Sequence, residues 1–178
     1  MVAAAVVLEP GTRIDGVDDS KRLAPEERES LYAAIRARAA AVGVGLVDAE
    51  TIDRVNILQA TRRAMGMALG ALGLTPELVL TDFVALDGLR CPQRNLVNGD
   101  RRSATVAAAS IIAKVTRDRM MAEADRDYPQ YGFGQHKGYP TPEHLAALYA
   151  HGPCPLHRRT FRGVLVQQDL FSIIVDEE

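Results

Sequence analysis

Two aspartates lie where an apolar run of the sequence gives way to a polar one. Asp82 follows residues 78–81, and Asp100 follows residues 96–99. An unpaired carboxylate loses its hydration in an apolar core, so an acid at such a place usually has a function. Two carboxylates at the ends of neighbouring strands can converge on a hard cation such as Mg²⁺ or Mn²⁺. The alternative is that each acid only caps a turn or a helix, as Asp100 could do just before Ser103.

A second concentration of reactive side chains lies in a glycine-rich stretch near residue 136. His136 and Lys137 can meet phosphates, Gly138 permits a close approach of the backbone to a ligand, and Tyr139 can pack on a sugar or a base. The alternative is a structural loop folded around a core tyrosine.

Two other groups of side chains are rejected as metal sites. Asp118 would lie about 22 Å along a helix that begins near Ser103, too far to share an ion with Asp100. Cys154 and His157 suggest a soft metal, but no fourth ligand stands at a suitable spacing, so we expect no zinc there.

The size and composition of the chain are typical of one globular domain. It has 178 residues, of which 47% are apolar and 25% charged, which excludes disordered and fibrous proteins. No apolar run reaches the roughly 20 residues of a membrane span, and two cysteines are too few for a disulfide framework. We therefore expect a cytoplasmic monomer with free thiols and no membrane partner.

The charge of the chain is unevenly distributed. The net charge of −2 by itself argues against a nucleic-acid binder. Residues 90–162, however, carry twelve Lys or Arg against six Asp or Glu, together with all four histidines. A basic stretch in an otherwise acidic chain can be an electrostatic footprint for phosphates, and the alternative is a solvated charged surface.

Short apolar runs alternate with helical patterns along the chain. Strands are predicted at residues 2–8, 42–47, 77–86 and 95–97, and helices at 25–41, 55–72, 103–127 and 141–149. This alternation favours an α/β fold with a helix-covered sheet. Small residues fill the first turns of the third helix, which would let it approach a sheet closely and predicts that it lies against the centre of the fold. Residues 163–178 have no clear period, and no role is assigned to them.

Seven segments of the chain, taken together, resemble the motifs of bacterial ribonuclease HII. Any one of them is a weak match, whereas seven in the right order are a specific one, and the resemblance covers residues 2–162. The segments are residues 19–21, 56–61, 79–82, 99–100, 107–119, 136–141 and 152–159.

The resemblance implies a fold, a reaction and a cofactor. The fold would be a ribonuclease H-like mixed sheet flanked by helices, with a helical C-terminal part, over residues 1–162 and followed by the tail at 163–178. The reaction would be cleavage of RNA in RNA/DNA hybrids, including single ribonucleotides in duplex DNA, on the 5′ side of the ribonucleotide. Four acidic residues of this family hold two Mg²⁺ or Mn²⁺ ions, and Asp82 and Asp100 match two of the four positions.

The resemblance also implies which residues bind the substrate. Tyr139 matches a tyrosine that packs on the sugar beside the scissile junction, in the loop that holds His136 and Lys137. Residues that match other substrate-contacting segments are Ser20, Lys21 and Asn56. The basic C-terminal part, expected to meet the nucleic-acid backbone, contains His157, Arg158 and Arg159.

The chain departs from the family at its N-terminus. The family begins with a strand that bears an adjacent Asp-Glu pair, the other two metal ligands, and continues into a Gly-Arg-Gly turn; neither precedes Met1 here. Because that strand is central in the family's sheet, its absence predicts unpaired strand edges and a gap in the core. We expect a mis-assigned start, since Met1 stands where the family usually has Val, and the alternative is a true loss.

These observations lead to three hypotheses of function. The first is a metal-dependent endonuclease of the ribonuclease HII type. The second is a module that binds hybrid duplexes without cutting them, because two of the four carboxylates are absent. The third is a small-molecule phosphohydrolase, which has only the acidic strand ends in its favour.

Overall fold

The structure is a computed structural model that describes residues 1–17, 20 and 23–164. Lys21 and the greater part of the predicted tail, residues 165–178, lie outside the described residues. The chain divides into two compact units. The first unit comprises Met1–Val47 and Ile57–Arg117, and the second comprises Asp48–Asn56 and the chain from Asp118 onward.

Strands and helices follow one another in the order that the sequence predicts. The strands are β1 (Val2–Val7), β2 (Ala41–Leu46), β3 (Val79–Asp82) and β4 (Gln93–Leu96). The helices are α1 (Pro25–Arg38), α2 (Ala49–Val55), α3 (Ile57–Gly70), α4 (Gly99–Arg102), α5 (Ala104–Asp127), α6 (Phe133–His136) and α7 (Pro142–His151). The α/β class is therefore confirmed, whereas the short helices α2, α4 and α6 are additions to the prediction.

The four strands of the first unit form two pairs. β1 pairs antiparallel with β2, with Val2 opposite Leu46. β3 pairs in parallel with β4, with Asp82 opposite Leu96. The strands thus run in mixed directions, as predicted, but within the described residues they form two two-stranded sheets rather than one continuous sheet.

Helix α3 packs directly on strand β2 because the strand presents glycine toward it. A Cβ atom at Gly43 would lie 2.0 Å from the carbonyl oxygen of Ala68, and one at Gly45 would lie 1.9 Å from that of Ala64. Both alanines are fully buried. Alanine on the helix and glycine on the strand therefore allow the two backbones to approach to a distance that any larger side chain would prevent.

The apolar core of the first unit is centred on α5. Ala108, Ile111 and Ile112 of this helix are fully buried and pack with Ile35 of α1 and Val6 of β1. The prediction that the small residues at the start of α5 lie against the centre of the fold is therefore confirmed.

A groove of about 610 Å³ lies between β1 and β3 in the first unit. It is lined mainly by apolar side chains of the two strands and of α3 and α5, and Asp82 lies among the lining residues. In the described part of the chain, β1 has β2 as its only partner strand and β3 has β4. The expected gap in the core and the unpaired strand edges are thus both present in the structure.

The second unit is helical. Tyr131, Phe133, Leu148 and Cys154 form its buried core. Thr141 caps α7, since its hydroxyl oxygen accepts a hydrogen bond from the backbone N–H of His144 at 3.3 Å. The predicted helical C-terminal part is therefore confirmed. None of the helices in the described residues is both long and apolar enough to cross a membrane.

Candidate active site

Asp82 is the last residue of β3, and its side chain is held by the segment that follows β4. The backbone N–H of Gly99 donates a hydrogen bond to Oδ1 of Asp82 at 2.9 Å. The hydrogen bonds between β3 and β4 continue one residue beyond the end of β3, because the N–H of Phe83 donates to the carbonyl of Leu96 at 2.9 Å. Asp82 is exposed, and this contact fixes the direction of its carboxylate.

The glycine of the Gly-Asp pair explains why Asp100 comes close to Asp82. Gly99 is buried, and a Cβ atom there would lie 3.2 Å from side-chain atoms of Leu96 and Val106 and 3.3 Å from the Cα of Asp82. A larger residue would push the two segments apart. Asp100 is the next residue, in the first turn of α4, so the strand end and the helix start bring both predicted aspartates to one place.

Asp82 and Asp100 remain the predicted metal ligands, and the structure adds no further ligand beside them among the described residues. Carboxylate oxygens are the ligands that Mg²⁺ and Mn²⁺ prefer. Over residues 1–17, 20 and 23–164, however, no group of three or more His, Cys, Asp or Glu side chains is placed to hold an ion. The described residues therefore provide two of the four carboxylates that the resemblance implies, which do not suffice for a two-ion centre.

Tyr139 lies in a loop of the second unit whose backbone is tightly constrained. Lys137 and Gly138 have φ angles of 52° and 76°, two successive left-handed residues, and they are followed by Tyr139, whose side chain is 52% exposed. The N–H of Tyr139 donates to the carbonyl of His136 at 2.9 Å. The loop thus presents an aromatic ring to solvent on a fixed backbone.

His136 and Lys137, both predicted to bind substrate, also hold this loop together. One ring nitrogen of His136 accepts a hydrogen bond from the N–H of Gly138 at 3.1 Å, and the other lies 2.7 Å from the carbonyl of Tyr131. The ammonium of Lys137 donates to the carbonyl of Gly134. In the structure, their contacts shape the loop around Tyr139, and their contact with substrate stays a prediction.

Asp53 of α2 holds the predicted basic segment. Its carboxylate accepts hydrogen bonds from the N–H of Arg159 at 2.7 Å and from the N–H and hydroxyl of Thr160 at 3.1 and 2.6 Å. Burial works against the charged carboxylate, but the bonds from Thr160 and Arg159 outweigh it and lower the pKa of Asp53. The guanidinium of Arg158 lies 3.6 Å above the ring of Phe161.

The remaining predicted substrate residues lie apart in the two units. Ser20, in the first unit, is 6% exposed, and its carbonyl accepts a hydrogen bond from Arg28 at 3.0 Å. Asn56, in the second unit, is exposed and ends α2 with a φ angle of 69°. Lys21 is outside the described residues. The structure therefore groups Asp82 with Asp100, and Tyr139 with His136 and Lys137.

One expectation from the sequence is wrong. His157 was expected in the basic part that meets the nucleic-acid backbone, yet its side chain is buried, at 8% exposure. Burial, together with the neighbouring His144, lowers the pKa of His157 from 6.5 to about 4. His157 is therefore neutral at physiological pH and contributes no positive charge.

Sequence reasoning did not identify two residues of this region, Asp53 and His144. Each acts through a partner far along the chain, at Thr160 and His157 respectively. A local sequence pattern can reveal a helix cap such as Asp48, which begins α2 and accepts a hydrogen bond from the N–H of Thr51 at 2.7 Å. No such local pattern links Asp53 to Arg159 and Thr160.

Comparison with known proteins shows which family the chain resembles. The family model described as Ribonuclease HII matches residues 1–164. The chain is 53% identical over 164 residues to ribonuclease HII of Geobacter metallireducens, covering 92% of this chain and 77% of that protein. It is 54% identical over 164 residues to ribonuclease HII of Geobacillus kaustophilus, covering 92% of this chain and 63% of that protein.

Two solved structures share the fold. The crystal structure of ribonuclease H2 from Pyrococcus horikoshii superposes with a TM-score of 0.72 at 27% identity, covering 92% of this chain and 95% of that one. The RNase HII in the PCNA:RNase HII complex from Archaeoglobus fulgidus superposes with a TM-score of 0.64 at 25% identity, covering 88% and 84%. The fold of the chain is thus similar to that of a solved ribonuclease H2 and a solved RNase HII.

Proposed function

The chain belongs to the ribonuclease HII family, and we propose from this premise that it cleaves RNA within RNA/DNA hybrids. The proposed substrates include single ribonucleotides in duplex DNA, cut on the 5′ side of the ribonucleotide with Mn²⁺ or Mg²⁺ as cofactor. The observation that carries this proposal is the meeting of Asp82 and Asp100 at the end of β3, where Gly99 joins them.

The groove beside Asp82 supports a second part of the proposal. Two carboxylates are too few for a two-ion centre, and the strands β1 and β3 that line the groove have no partner strand there among the described residues. An extended segment in this groove would gain backbone hydrogen bonds from both edges. We propose that it receives the strand with the Asp-Glu pair, and that cleavage requires this strand.

The second unit would bind the substrate. Tyr139 is exposed on a constrained loop, which suits a ring that packs on a sugar. Arg158 and Arg159 lie in a segment whose backbone is held by Asp53, and the Arg158 guanidinium packs on the ring of Phe161, so the segment is placed for contact with phosphates. Ser20, Lys21, Asn56, His136 and Lys137 are the further proposed contacts.

The test compares the chain with an N-terminally extended form. The substrate is a DNA duplex with one ribonucleotide, in Mn²⁺ and then in Mg²⁺. We expect the extended form with the Asp-Glu strand to cut on the 5′ side, while a matched extension with Asn-Gln in its place does not. Asp82→Asn in the active form should lower the rate by at least about 100-fold, because a metal-binding carboxylate is lost.

Two outcomes would contradict the proposal. Full activity of Asp82→Asn would remove Asp82 from the metal site. Cleavage by the 178-residue chain at the rate of the extended form would show that the additional strand is not required.

A second candidate is a module that binds hybrids and does not cut them. The incomplete carboxylate set of the described residues favours it for this form of the chain. It predicts binding to hybrid duplex whose affinity falls steeply with salt, and no cleavage by either form in Mn²⁺. Fluorescence anisotropy at several salt concentrations, alongside the cleavage assay, separates the two candidates.

A further inference from the structure

Buried hydrogen bonds in the second unit connect three segments of the chain through two histidines. The N–H of Cys154 donates to Nδ1 of His157 at 3.0 Å, and Nε2 of His157 lies 3.0 Å from Nε2 of His144. At the other end, Nδ1 of His144 lies 2.9 Å from the carbonyl oxygen of Tyr139. We call this chain of contacts, from Cys154 to the carbonyl of Tyr139, the histidine relay.

The partners of the relay determine where its protons are. A backbone N–H only donates, so Nδ1 of His157 accepts and the proton of this neutral ring is on Nε2. This proton is donated to Nε2 of His144, which therefore carries its own proton on Nδ1. That proton faces the carbonyl of Tyr139, so every donor in the relay meets an acceptor.

The surroundings of the relay keep both rings neutral and fixed. His144 and His157 are 5% and 8% exposed, and the ring of Phe133 lies 5.6 and 5.4 Å from their ring centres. Burial lowers the pKa of each histidine. In an apolar environment, a fully satisfied hydrogen-bonded chain rigidifies the groups it joins, because a broken bond leaves a buried polar atom unpaired.

The relay ends on the backbone of the loop that presents Tyr139. The carbonyl of Tyr139 also accepts the N–H of Thr141 at 2.8 Å. His136 supports the same loop from its other side, and its ring stacks on that of His144 with centroids 4.3 Å apart and planes at 16°. The backbone of Tyr139 is therefore held on both sides while its ring stays exposed.

Neither a metal site nor a phosphate site accounts for these histidines. Both nitrogens of each ring are engaged within the relay, and no three-ligand cluster occurs in the portion of the second unit that the structure describes. A buried neutral ring offers no charge to a phosphate. The one exposed group that the relay holds is Tyr139.

We propose that His144 and His157 are positioning residues that hold Tyr139 in place for contact with the sugar of the ribonucleotide. This inference rests on the proposed function, because it takes Tyr139 to be the residue that meets the substrate junction. A backbone already held in its binding conformation leaves less conformational freedom to be lost by Tyr139 when substrate binds, so the relay would raise discrimination for ribonucleotides rather than overall affinity.

The experiment measures discrimination by the 178-residue chain without divalent ions. Dissociation constants are determined for a DNA duplex with one ribonucleotide and for the same duplex in all-DNA form. The ratio of the two constants is compared between the unchanged chain and His144→Phe, which keeps a ring beside Phe133 but removes the donor to Tyr139. We expect the ratio to fall about tenfold, with affinity for the all-DNA duplex within about twofold.

Three further single variants and one double variant separate positioning from a general loss of structure. His144→Asn retains an amide near Nδ1 that can donate to the carbonyl of Tyr139, and should restore most of the ratio. His151→Gln changes an exposed histidine of the same helix and should have no effect. Tyr139→Ala should lower the ratio as much as Tyr139→Ala combined with His144→Phe, because the histidine acts only through the tyrosine.

The outcomes distinguish this inference from the proposed function. Provided that the unchanged chain discriminates, two results would overturn the inference. One is an unchanged ratio in His144→Phe. The other is a double variant whose ratio falls by the product of the two single-variant factors. If the unchanged chain and Tyr139→Ala both lack discrimination, the proposed contact of Tyr139 is itself wrong and the inference falls with it. Circular dichroism of each variant confirms that the fold is retained.

Discussion

The stability of the protein should fall as the pH is lowered from 7.5 to 5.5, because the histidine relay cannot accept a proton. A second proton on His157 would be placed on Nδ1, against the N–H of Cys154, and one on His144 would be placed on Nε2, against the N–H of His157. Each added proton thus sets two donors against each other. The other titratable groups that surround the pair, His136, Cys154 and Tyr131, offer no carboxylate to offset the charge.

The magnitude follows from the pKa of His157, which is about 4 in the folded chain and 6.5 when unfolded. A lowered histidine pKa means that the stabilisation is complete above pH 6.5 and is lost as the pH falls toward 4, since the unfolded chain binds the proton first. The difference between these two pKa values corresponds to about 3 kcal/mol in total, of which about 1 kcal/mol is lost by pH 5.5. The lowered pKa of His144 adds to the loss in the same direction.

The assay is urea unfolding followed by circular dichroism at pH 7.5, 6.5 and 5.5. This window avoids Asp48, Asp53 and Glu143, whose pKa values lie below their ordinary values of 3.8 and 4.5. His157→Gln should reduce the loss between pH 7.5 and 5.5 by about 1 kcal/mol, and His151→Gln, at an exposed histidine of the same unit, is the matched control. An equal loss in His157→Gln and the unchanged chain would refute the assignment of two buried neutral rings.

Two further predictions concern the packing of the first unit and the anchor of the second. Gly45→Ala should lower the free energy of unfolding by about 1–3 kcal/mol, because its Cβ would collide with the backbone of α3. Gly66→Ala places its Cβ in open space on α3 and should stabilise the protein by up to about 1 kcal/mol. Urea unfolding measures both changes. Asp53→Ala should speed amide hydrogen exchange at Arg159 and Thr160 by about tenfold, with Glu50→Ala on the same helix as the control that should change nothing there.

Periodicity predicts the elements of this fold better than their contacts. Apolar runs and caps indicate β1, α1, α5 and α7, since each is encoded by neighbouring residues. The helix predicted over residues 55–72 begins at Ile57, because Asn56 takes a positive φ angle that ends the preceding helix α2. The glycines of β2 look like weak strand formers in the sequence, and only the approach of α3 shows why they are needed.

In the candidate site, too, the sequence predicts residues that have a local pattern and misses contacts between distant residues. Asp82 and Asp100 are visible in the sequence because each ends an apolar run, and Gly99 marks the close approach that joins them. Asp53 binds residues more than one hundred positions away, a contact that no local pattern encodes. The two aspartates proposed to hold the metal are therefore visible in the sequence, while the contact that anchors the proposed substrate-binding segment is not.

The histidines show why a charge count along the sequence does not describe the surface that meets a nucleic acid. All four lie in the basic stretch at residues 90–162, and they strengthen its apparent attraction for phosphates. The structure buries His144 and His157 and commits their ring nitrogens to other protein groups, which makes them part of the interior. A charge count that includes these two histidines therefore overstates the basic character of the stretch, and under the inference proposed above the histidine relay acts on recognition through Tyr139.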